Sequence, residues 1–326
     1  MERGRLSGLD GLRGIAALGV LSFHIWRVPG GNGYLAVDFF FLLSGYVMAR
    51  SYEDRLRDGG SGAARAFMAA RFWRLYPTLA IASLLGLPYL FARFGIAAVP
   101  IALATLLLVP VDGPDDPFTL NPPAWSILCE LLANLAHALV FARLSTRNLA
   151  ALTLALAGIL TWQVLPRTLH VIPGEGDRLL CCVRVSVPYA MGILLYRTWR
   201  DRPPVTVPPL ITWSAMPAWF LAGPLLIGPS GAADLVFLFA ICPLLLAGGL
   251  AQRGESRWQA ALGTLSFPLY AVHAPIVLTL RALGLGPLWQ VPACLLAAAA
   301  MVPVSRYLVA HLPLRLARPR AGLAPG

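Results

Sequence analysis

The sequence has few charged residues and no lysine. Only 13% of its 326 residues are charged, 58% are hydrophobic, and the mean hydropathy is +0.69. A soluble domain of this composition would have too little polar surface to cover itself, so the sequence predicts an integral membrane protein. All 26 basic residues are arginine. Most of them fall in short loops between apolar runs, which is typical of a topology signal, so we expect no nucleic-acid binding.

Patterns that hold disulfides or metals are also lacking. The five cysteines lie in apolar stretches without metal-ligand spacing: Cys129, Cys181, Cys182, Cys242 and Cys294. They are typical of small packing residues, and we expect neither disulfides nor a metal site. No internal repeat or appended soluble domain is evident. We also expect no cleavable signal peptide, because the first apolar run continues directly into further ones. Residues 1–326 are therefore predicted to form a single membrane domain.

Apolar segments about as long as a membrane-spanning helix recur along the whole chain. They lie near residues 11–27, 34–51, 76–94, 124–143, 148–165, 179–197, 209–227, 231–251, 260–283 and 288–310. We predict one transmembrane helix for each, and hence an all-α, polytopic helical bundle with about ten spans.

A shorter apolar run at 98–109 decides the topology. If this run does not cross the membrane, most loop arginines fall on one side. The other side then holds only Arg27, Arg93, Arg167, Arg178 and Arg281. This asymmetry predicts cytoplasmic N- and C-termini. It also predicts an external re-entrant or interfacial segment at 98–123, which carries Asp112, Asp115 and Asp116.

The first apolar run contains a histidine, His24, eleven residues after Arg13. On a helix these two residues share one face, about 16 Å apart along the axis. Asp38, Glu130 and Arg184 are predicted at the depth of His24, in the outer third of the membrane. Because an ionisable group facing lipid costs about 2.5–3.5 kcal/mol or more, all four should face inward, paired or hydrated.

Other polar residues add weaker signals. Ser126 lies one turn from Glu130 on the same helix face, and His273 lies near the middle of the ninth predicted span. His273 alone is also typical of a residue that hydrogen-bonds between helices. Arg71 and Arg74 are typical of topology arginines. Their i, i+3 spacing nevertheless makes a cationic pair on one face that suits a phosphate.

Two functional classes besides an enzyme remain open from these residues. A proton-coupled or substrate transporter could use a His24, Glu130 and Arg184 relay, although the sequence shows no paired inverted halves. A non-catalytic scaffold or receptor gives no reason for so many buried ionisable groups.

Five blocks of sequence, in order, match motifs of one known family. They are residues 9–14 (LDGLRG) with His24, 37–46 (VDFFFLLSGY), 71–77 (RFWRLYP), 125–130 (WSILCE), and 262–270 (LGTLSFPLY) with His273 and Pro275. On these blocks the chain resembles the acyltransferase 3 family of bacterial membrane O-acyltransferases, from about Leu9 to Pro313. One block departs from the family pattern. The family often has a glutamate two residues before a proline near its end, and this chain has His311 there.

The resemblance implies transfer of an acyl group, most often acetyl from acetyl-CoA, to a hydroxyl. The donor is made in the cytosol, so Arg71, Arg74 and Arg13 are expected at its nucleotide end. His24 is expected to act as general base, with a transient acyl-histidine as the variant. Glu130 is expected to orient the imidazole or position the acceptor, while Asp38, Ser126, Arg184 and His273 support the site.

The resemblance also implies the setting of the reaction. We expect a multi-pass protein of the bacterial inner membrane with acyl-CoA as co-substrate and no metal. Acceptors of look-alike proteins include carbohydrates, lipid-linked sugars and secondary metabolites. Some family members carry an extracytoplasmic hydrolase-like domain, so a separate extracytoplasmic partner is an open alternative here.

Overall fold

The described part of the chain is all-helical. The structure is a computed structural model that describes residues 6–26, 31–112, 116–172, 174, 177–228, 230–252, 254 and 256–311. Its α-helices are α1 (Ser7–Trp26), α2 (Ala36–Asp58), α3 (Gly60–Ser83), α4 (Leu87–Phe94), α5 (Ala98–Leu106), α6 (Ala124–Leu139), α7 (Thr146–Val164), α8 (Arg178–Trp199), α9 (Pro209–Ile227), α10 (Gly231–Val236), α11 (Cys242–Ala251), α12 (Arg257–Ala282) and α13 (Pro287–His311). A π-helical turn, Phe237–Ile241, joins α10 to α11.

Six of the described helical stretches are long and apolar enough to cross a membrane. They are Gly60–Leu106, Ala124–Arg143, Arg178–Trp199, Gly231–Ala251, Arg257–Ala282 and Pro287–Ala310. Helices α1, α2, α7 and α9 cover the other four predicted segments and have 19 to 23 residues each. The bundle is therefore that of a polytopic membrane protein. The count of ten spans and the cytoplasmic termini stay predictions.

Two stretches differ from the sequence expectation in their local structure. The helix for the third predicted span begins at Gly60 and not near 76, so Arg71 and Arg74 lie within α3. The segment 98–123 starts as the short helix α5 and then folds back into the bundle. Asn121 there is fully buried, and its amide donates to Ser83 Oγ at 3.0 Å and to the Ala271 carbonyl at 3.1 Å. Arg27 and Asp115 lie outside the described residues.

Glycines allow the central helices to approach closely. Helix α1 packs along α12, and α2 packs along α8. A Cβ on Gly45 of α2 would lie 2.0 Å from the Tyr189 carbonyl oxygen, and one on Gly192 of α8 would lie 2.0 Å from the Leu42 oxygen. Small residues at such crossings are the usual way for membrane helices to associate. They bring the polar side chains of α2 and α8 into contact.

Replacing Gly45 by alanine is expected to destabilise the bundle. The new methyl group would overlap a backbone oxygen, so α2 and α8 would have to separate, at a cost of about 1–3 kcal/mol. The measurement is the apparent thermal unfolding midpoint of purified protein, followed by tryptophan fluorescence. Gly158→Ala on α7 is the matched control, because its Cβ would meet nothing within 4 Å. That variant should be neutral or slightly more stable. Equal midpoints for the two variants would contradict this packing.

Candidate active site

Two cavities enter the bundle from opposite ends of α1. The first, which we name the arginine cavity, has a volume of about 800 Å³ and is lined by α1, α2, α3, α6, α12 and α13. The second, which we name the histidine cavity, has a volume of about 400 Å³ and contains His24. Arg13 lines the first cavity and His24 the second. Helix α1 therefore connects the two, as the spacing of these residues predicts.

The arginine cavity is strongly basic. Its lining includes five arginines against two carboxylates, an excess of three positive charges; the arginines are Arg13, Arg50, Arg71, Arg74 and Arg306, and the carboxylates Asp10 and Glu130. Among the described residues, three of these arginines have a carboxylate partner. Arg13 lies 3.8 Å from Asp10, Arg50 donates to Asp201 at 2.8 Å, and Arg71 pairs with Glu130. An excess of guanidinium groups around an open cavity suits a ligand with phosphates.

Glu130 belongs to the arginine cavity. Its Oε1 accepts from Arg71 Nη2 at 2.5 Å and from Ser44 Oγ at 2.8 Å. Ser44 lies six residues along α2 from Asp38, so Glu130 lies about 9 Å deeper than Asp38. The sequence analysis placed Glu130, Asp38 and His24 at one depth, and that expectation is therefore corrected for Glu130. Glu130 joins α2, α3 and α6 at the base of the arginine cavity, where it fixes the Arg71 guanidinium.

The histidine cavity combines imidazoles with aromatic rings. His24 of α1 and His170 of the α7–α8 loop line it, together with Tyr34, Trp125 and Tyr270. The Phe23 ring packs edge-on against both histidines, with ring centroids 5.3 Å from His24 and 5.5 Å from His170. The His170 side chain is exposed, yet partial desolvation at the cavity, and then the charge of Arg184, lower its pKa from the ordinary value. Both effects favour the neutral imidazole.

The protonation pattern of His24 suits a base. His24 Nδ1 lies 3.0 Å from the Val20 carbonyl oxygen, which can only accept a hydrogen bond. Nδ1 must therefore carry the proton, and in the neutral ring the lone pair is on Nε2. The centroid of the His273 ring lies 4.9 Å from that of His24, and the His273 Nδ1 donates to the Tyr270 backbone carbonyl oxygen at 2.7 Å. Arg281 donates to the His24 carbonyl at 2.8 Å and fixes the end of α1.

A buried ion pair forms the wall of the histidine cavity. Arg184 of α8 donates to Asp38 of α2 through Nε at 3.0 Å and Nη2 at 2.8 Å, and both side chains are at most 1% exposed. Arg184 Nη1 also donates to the Val171 carbonyl at 2.8 Å. Its guanidinium lies 5.5 Å from the Trp125 ring centre. These bonds join α2 and α8 to the loop that carries His170, so Asp38 and Arg184 hold the cavity together.

Among the described residues, no three or more histidine, cysteine, aspartate or glutamate side chains are grouped so that they could hold a metal ion.

Comparison with known proteins agrees with this architecture. A family model described as an acyltransferase domain matches residues 6–309. The match includes every residue that lines either cavity except Ala310. The chain belongs to the acyltransferase 3 family. The protein is therefore a membrane O-acyltransferase, and the transporter that the sequence left open is not favoured.

Individual relatives of the acyltransferase differ in how much they share with it. "Protein 2 in picA locus" of Rhizobium radiobacter is 35% identical over an aligned stretch of 178 residues. The match covers 46% of this chain and 90% of the relative. A Staphylococcus aureus (strain COL) protein provisionally named an O-acetyltransferase is 36% identical over 76 residues, 23% of this chain and 13% of that protein.

A third relative carries a more specific name. Peptidoglycan O-acetyltransferase OatA of Listeria monocytogenes is 31% identical over 78 residues, 24% of this chain and 12% of OatA. The chain thus spans only about an eighth of these two named O-acetyltransferases. No solved structure matches the chain.

The structure also places at the cavities residues to which the sequence assigned no role. Arg306 lines the arginine cavity, and its position inside the last predicted span was a usable signal, because an arginine facing lipid is costly. Asp234 binds the Tyr34 hydroxyl and the Leu169 backbone N–H, each at 2.7 Å. That contact spans 200 residues of sequence, and no local pattern indicates it. Ser126, which the sequence did assign to the site, donates to the Pro123 carbonyl at 2.8 Å, and its Oγ lies 2.6 Å from the Tyr270 hydroxyl.

Proposed function

We propose that this protein transfers an acyl group, most often acetyl, from acyl-CoA to a hydroxyl of a carbohydrate or other small acceptor, with His24 as general base. The observation that carries the proposal is the pair of cavities at opposite ends of α1, one rich in arginine and one holding His24. Membership of the acyltransferase 3 family supports the reaction class. We further propose the bacterial inner membrane as the location.

The arginine cavity would receive the donor from the cytosol. Coenzyme A carries a pyrophosphate and a further phosphate, and Arg71 and Arg74 lie one turn apart on α3 on the face that lines the cavity. Arg13, on the facing helix α1, adds a third cation. Glu130 accepts from the Arg71 guanidinium and is itself held by the Ser44 hydroxyl. The flexible pantetheine arm would then extend along α1 toward His24.

The histidine cavity would hold the acceptor hydroxyl. His24 Nε2 would remove the hydroxyl proton as the oxygen attacks the thioester carbonyl, which forms the new C–O bond. As the tetrahedral intermediate collapses, the C–S bond breaks and its electron pair leaves with the CoA sulfur. The imidazolium returns its proton to that sulfur, so free CoA and the ester are the products. His273 and Arg281 position the imidazole in this scheme.

The acceptor is proposed as a sugar hydroxyl on two grounds. The names of the relatives refer to O-acetylation and, in one case, to peptidoglycan. The histidine cavity also offers several aromatic rings beside polar groups, an arrangement that suits a ring with hydroxyl groups. A lipid-linked sugar or a secondary metabolite would present the same hydroxyl chemistry.

Replacing both Arg71 and Arg74 with glutamine is expected to weaken donor use selectively. Each guanidinium bonded to a phosphate contributes about 1.5–3 kcal/mol, so the apparent KM for acetyl-CoA should rise by at least about tenfold. The measurement is release of free thiol from acetyl-CoA by purified protein in nanodiscs, with a panel of simple sugars as acceptors. The KM for the acceptor should change much less.

The matched control is Arg65→Gln, the same substitution at an exposed position of the same helix that lines neither cavity. It should leave both constants at their wild-type values. An equal rise of the donor and acceptor constants in the double variant would argue against the donor role. Wild-type protein that releases no thiol under any of these conditions would contradict the proposed function itself.

A further inference from the structure

The two cavities meet at a narrow apolar wall. Of the described residues, Val37 of α2 and Tyr270 of α12 are the two that line both cavities. Both residues are buried, at 7% and 6% exposed, and together we name them the wall. The wall is therefore the boundary between the arginine side and the histidine side of the site.

The position of Tyr270 in this wall is fixed from three directions. Its hydroxyl lies 2.6 Å from Ser126 Oγ on α6. Its ring packs edge-on against Phe40 of α2, with centroids 5.8 Å apart, and at a tilt against His273, with centroids 5.7 Å apart. The Tyr270 hydroxyl already has a partner in Ser126. Both faces that an incoming group would meet, the tyrosine ring and the valine methyl groups, are therefore apolar.

The proposed reaction must pass this wall. The phosphates of the donor would be bound among the arginines, while the base that activates the acceptor lies on the other side. The acyl carbonyl and the sulfur have to reach the His24 side, and the acyl group is the first part of the donor to pass the wall. A carboxylate on that group would lose its hydration against Val37 and Tyr270, and desolvation of an unpaired charge costs several kcal/mol. A branched chain would need more width than an unbranched one.

We infer that Val37 and Tyr270 select the acyl group, admitting slim, uncharged groups such as acetyl and excluding branched or charged groups such as isovaleryl and succinyl. This inference rests on the proposed function, because it assigns the specificity of the same site. Val37 contributes the adjustable width, since the Tyr270 ring that shares this boundary is held in place by Ser126. The apolar character of the wall contributes the discrimination against charge.

The test uses two substitutions of Val37 and three donors. Purified full-length protein in nanodiscs is given acetyl-CoA, isovaleryl-CoA or succinyl-CoA, with N-acetylglucosamine and water as acceptor probes, and free thiol release is measured. Binding of CoA itself is measured separately by titration calorimetry. Wild-type protein should use acetyl-CoA at least about tenfold faster than the other two donors, in line with the discrimination of apolar pockets.

Val37→Ala should raise the rate with isovaleryl-CoA by about tenfold or more and leave succinyl-CoA unused, because the widened wall is still apolar. Val37→Phe should lower the rate with acetyl-CoA by about tenfold or more and leave the Kd for CoA within about twofold, because the arginines are unchanged. Retained CoA binding also shows that this variant is folded. If it does not fold, Val37→Ile gives the same test with a smaller decrease. Val185→Ala, a buried valine of α8 that lines neither cavity, should keep the wild-type donor profile.

Three outcomes would overturn the inference, and they can be told apart. If wild-type protein turns over acetyl-CoA but both Val37 variants keep the wild-type donor profile, the wall does not select the acyl group and the proposed function stands. If neither wild-type protein nor any variant releases thiol from any donor, the proposed function fails and the inference fails with it. Efficient use of succinyl-CoA by the wild-type protein would also overturn the exclusion of charged groups.

Discussion

His24→Gln is expected to lower the rate of acyl transfer by about 10²–10⁴-fold, the usual contribution of a general base. Glutamine keeps much of the side-chain volume and its capacity to hydrogen-bond the Val20 carbonyl, but it cannot take a proton from a hydroxyl near neutral pH. The measurement is the kcat for thiol release from acetyl-CoA by purified, correctly inserted protein. His24→Ala should show a loss of similar size.

A measurement of CoA binding distinguishes the loss of the catalytic base from misfolding of the variant. Arg13, which lines the arginine cavity, lies about 16 Å from His24 along α1, so the Kd for CoA should stay within about twofold of the wild-type value in both variants. His170→Gln removes the other imidazole of the same cavity. Its effect should be milder, because His170 lies on an exposed loop. Wild-type transfer by inserted His24→Ala and His24→Gln protein would exclude His24 as the base.

The sequence predicts α1 well because the relevant relation is local. Eleven residues at a fixed helical pitch determine the face and the spacing of Arg13 and His24, whatever the rest of the chain does. The arginine pair on α3 is likewise placed on one face by its i, i+3 spacing. Both features are present in the structure, on the cavity-lining faces of these helices. Periodicity within one helix is the information that a single sequence carries most directly.

The predicted depth of Glu130 was wrong because the depth depends on where α6 begins relative to the other helices. The prediction counts residues from the start of each apolar run and assumes that every run starts at the membrane surface. In the structure the stretch before α6 folds into the bundle, and Phe118, Leu120 and Asn121 are each 0% exposed. Helix α6 therefore starts inside the bundle, at the fully buried Ala124, and Glu130 reaches Arg71. No local pattern in the sequence reports this inward fold.

Partners between distant segments are also beyond sequence reasoning. Burial cost indicates that Asp38 and Arg184 face inward, but it does not say that they bind each other. Their pairing requires α2 and α8 to be neighbours, which follows from the close approach at Gly45 and Gly192. The same holds for Tyr270. It was part of a recognised motif, but its place between two cavities appears only when α2, α6 and α12 are assembled.

Arg184→Gln is expected to destabilise the protein by about 3–5 kcal/mol, because it leaves Asp38 charged, buried and without its bidentate partner. The Val171 carbonyl also loses its donor, so the loop that carries His170 should detach from the cavity. The measurement is the apparent unfolding midpoint in detergent, followed by tryptophan fluorescence.

The double variant Asp38→Asn, Arg184→Gln is the decisive comparison. It replaces the two charges with amides of similar shape, which removes the unpaired charge and allows a neutral hydrogen bond between α2 and α8. Because most of the cost of the single change is the buried, uncompensated carboxylate, the double variant should be more stable than Arg184→Gln alone. Arg65→Gln, on an exposed face of α3, should not move the midpoint. Additive losses in the double variant would show that the ion pair does not couple α2 to α8, and the histidine cavity would then owe its shape to packing alone.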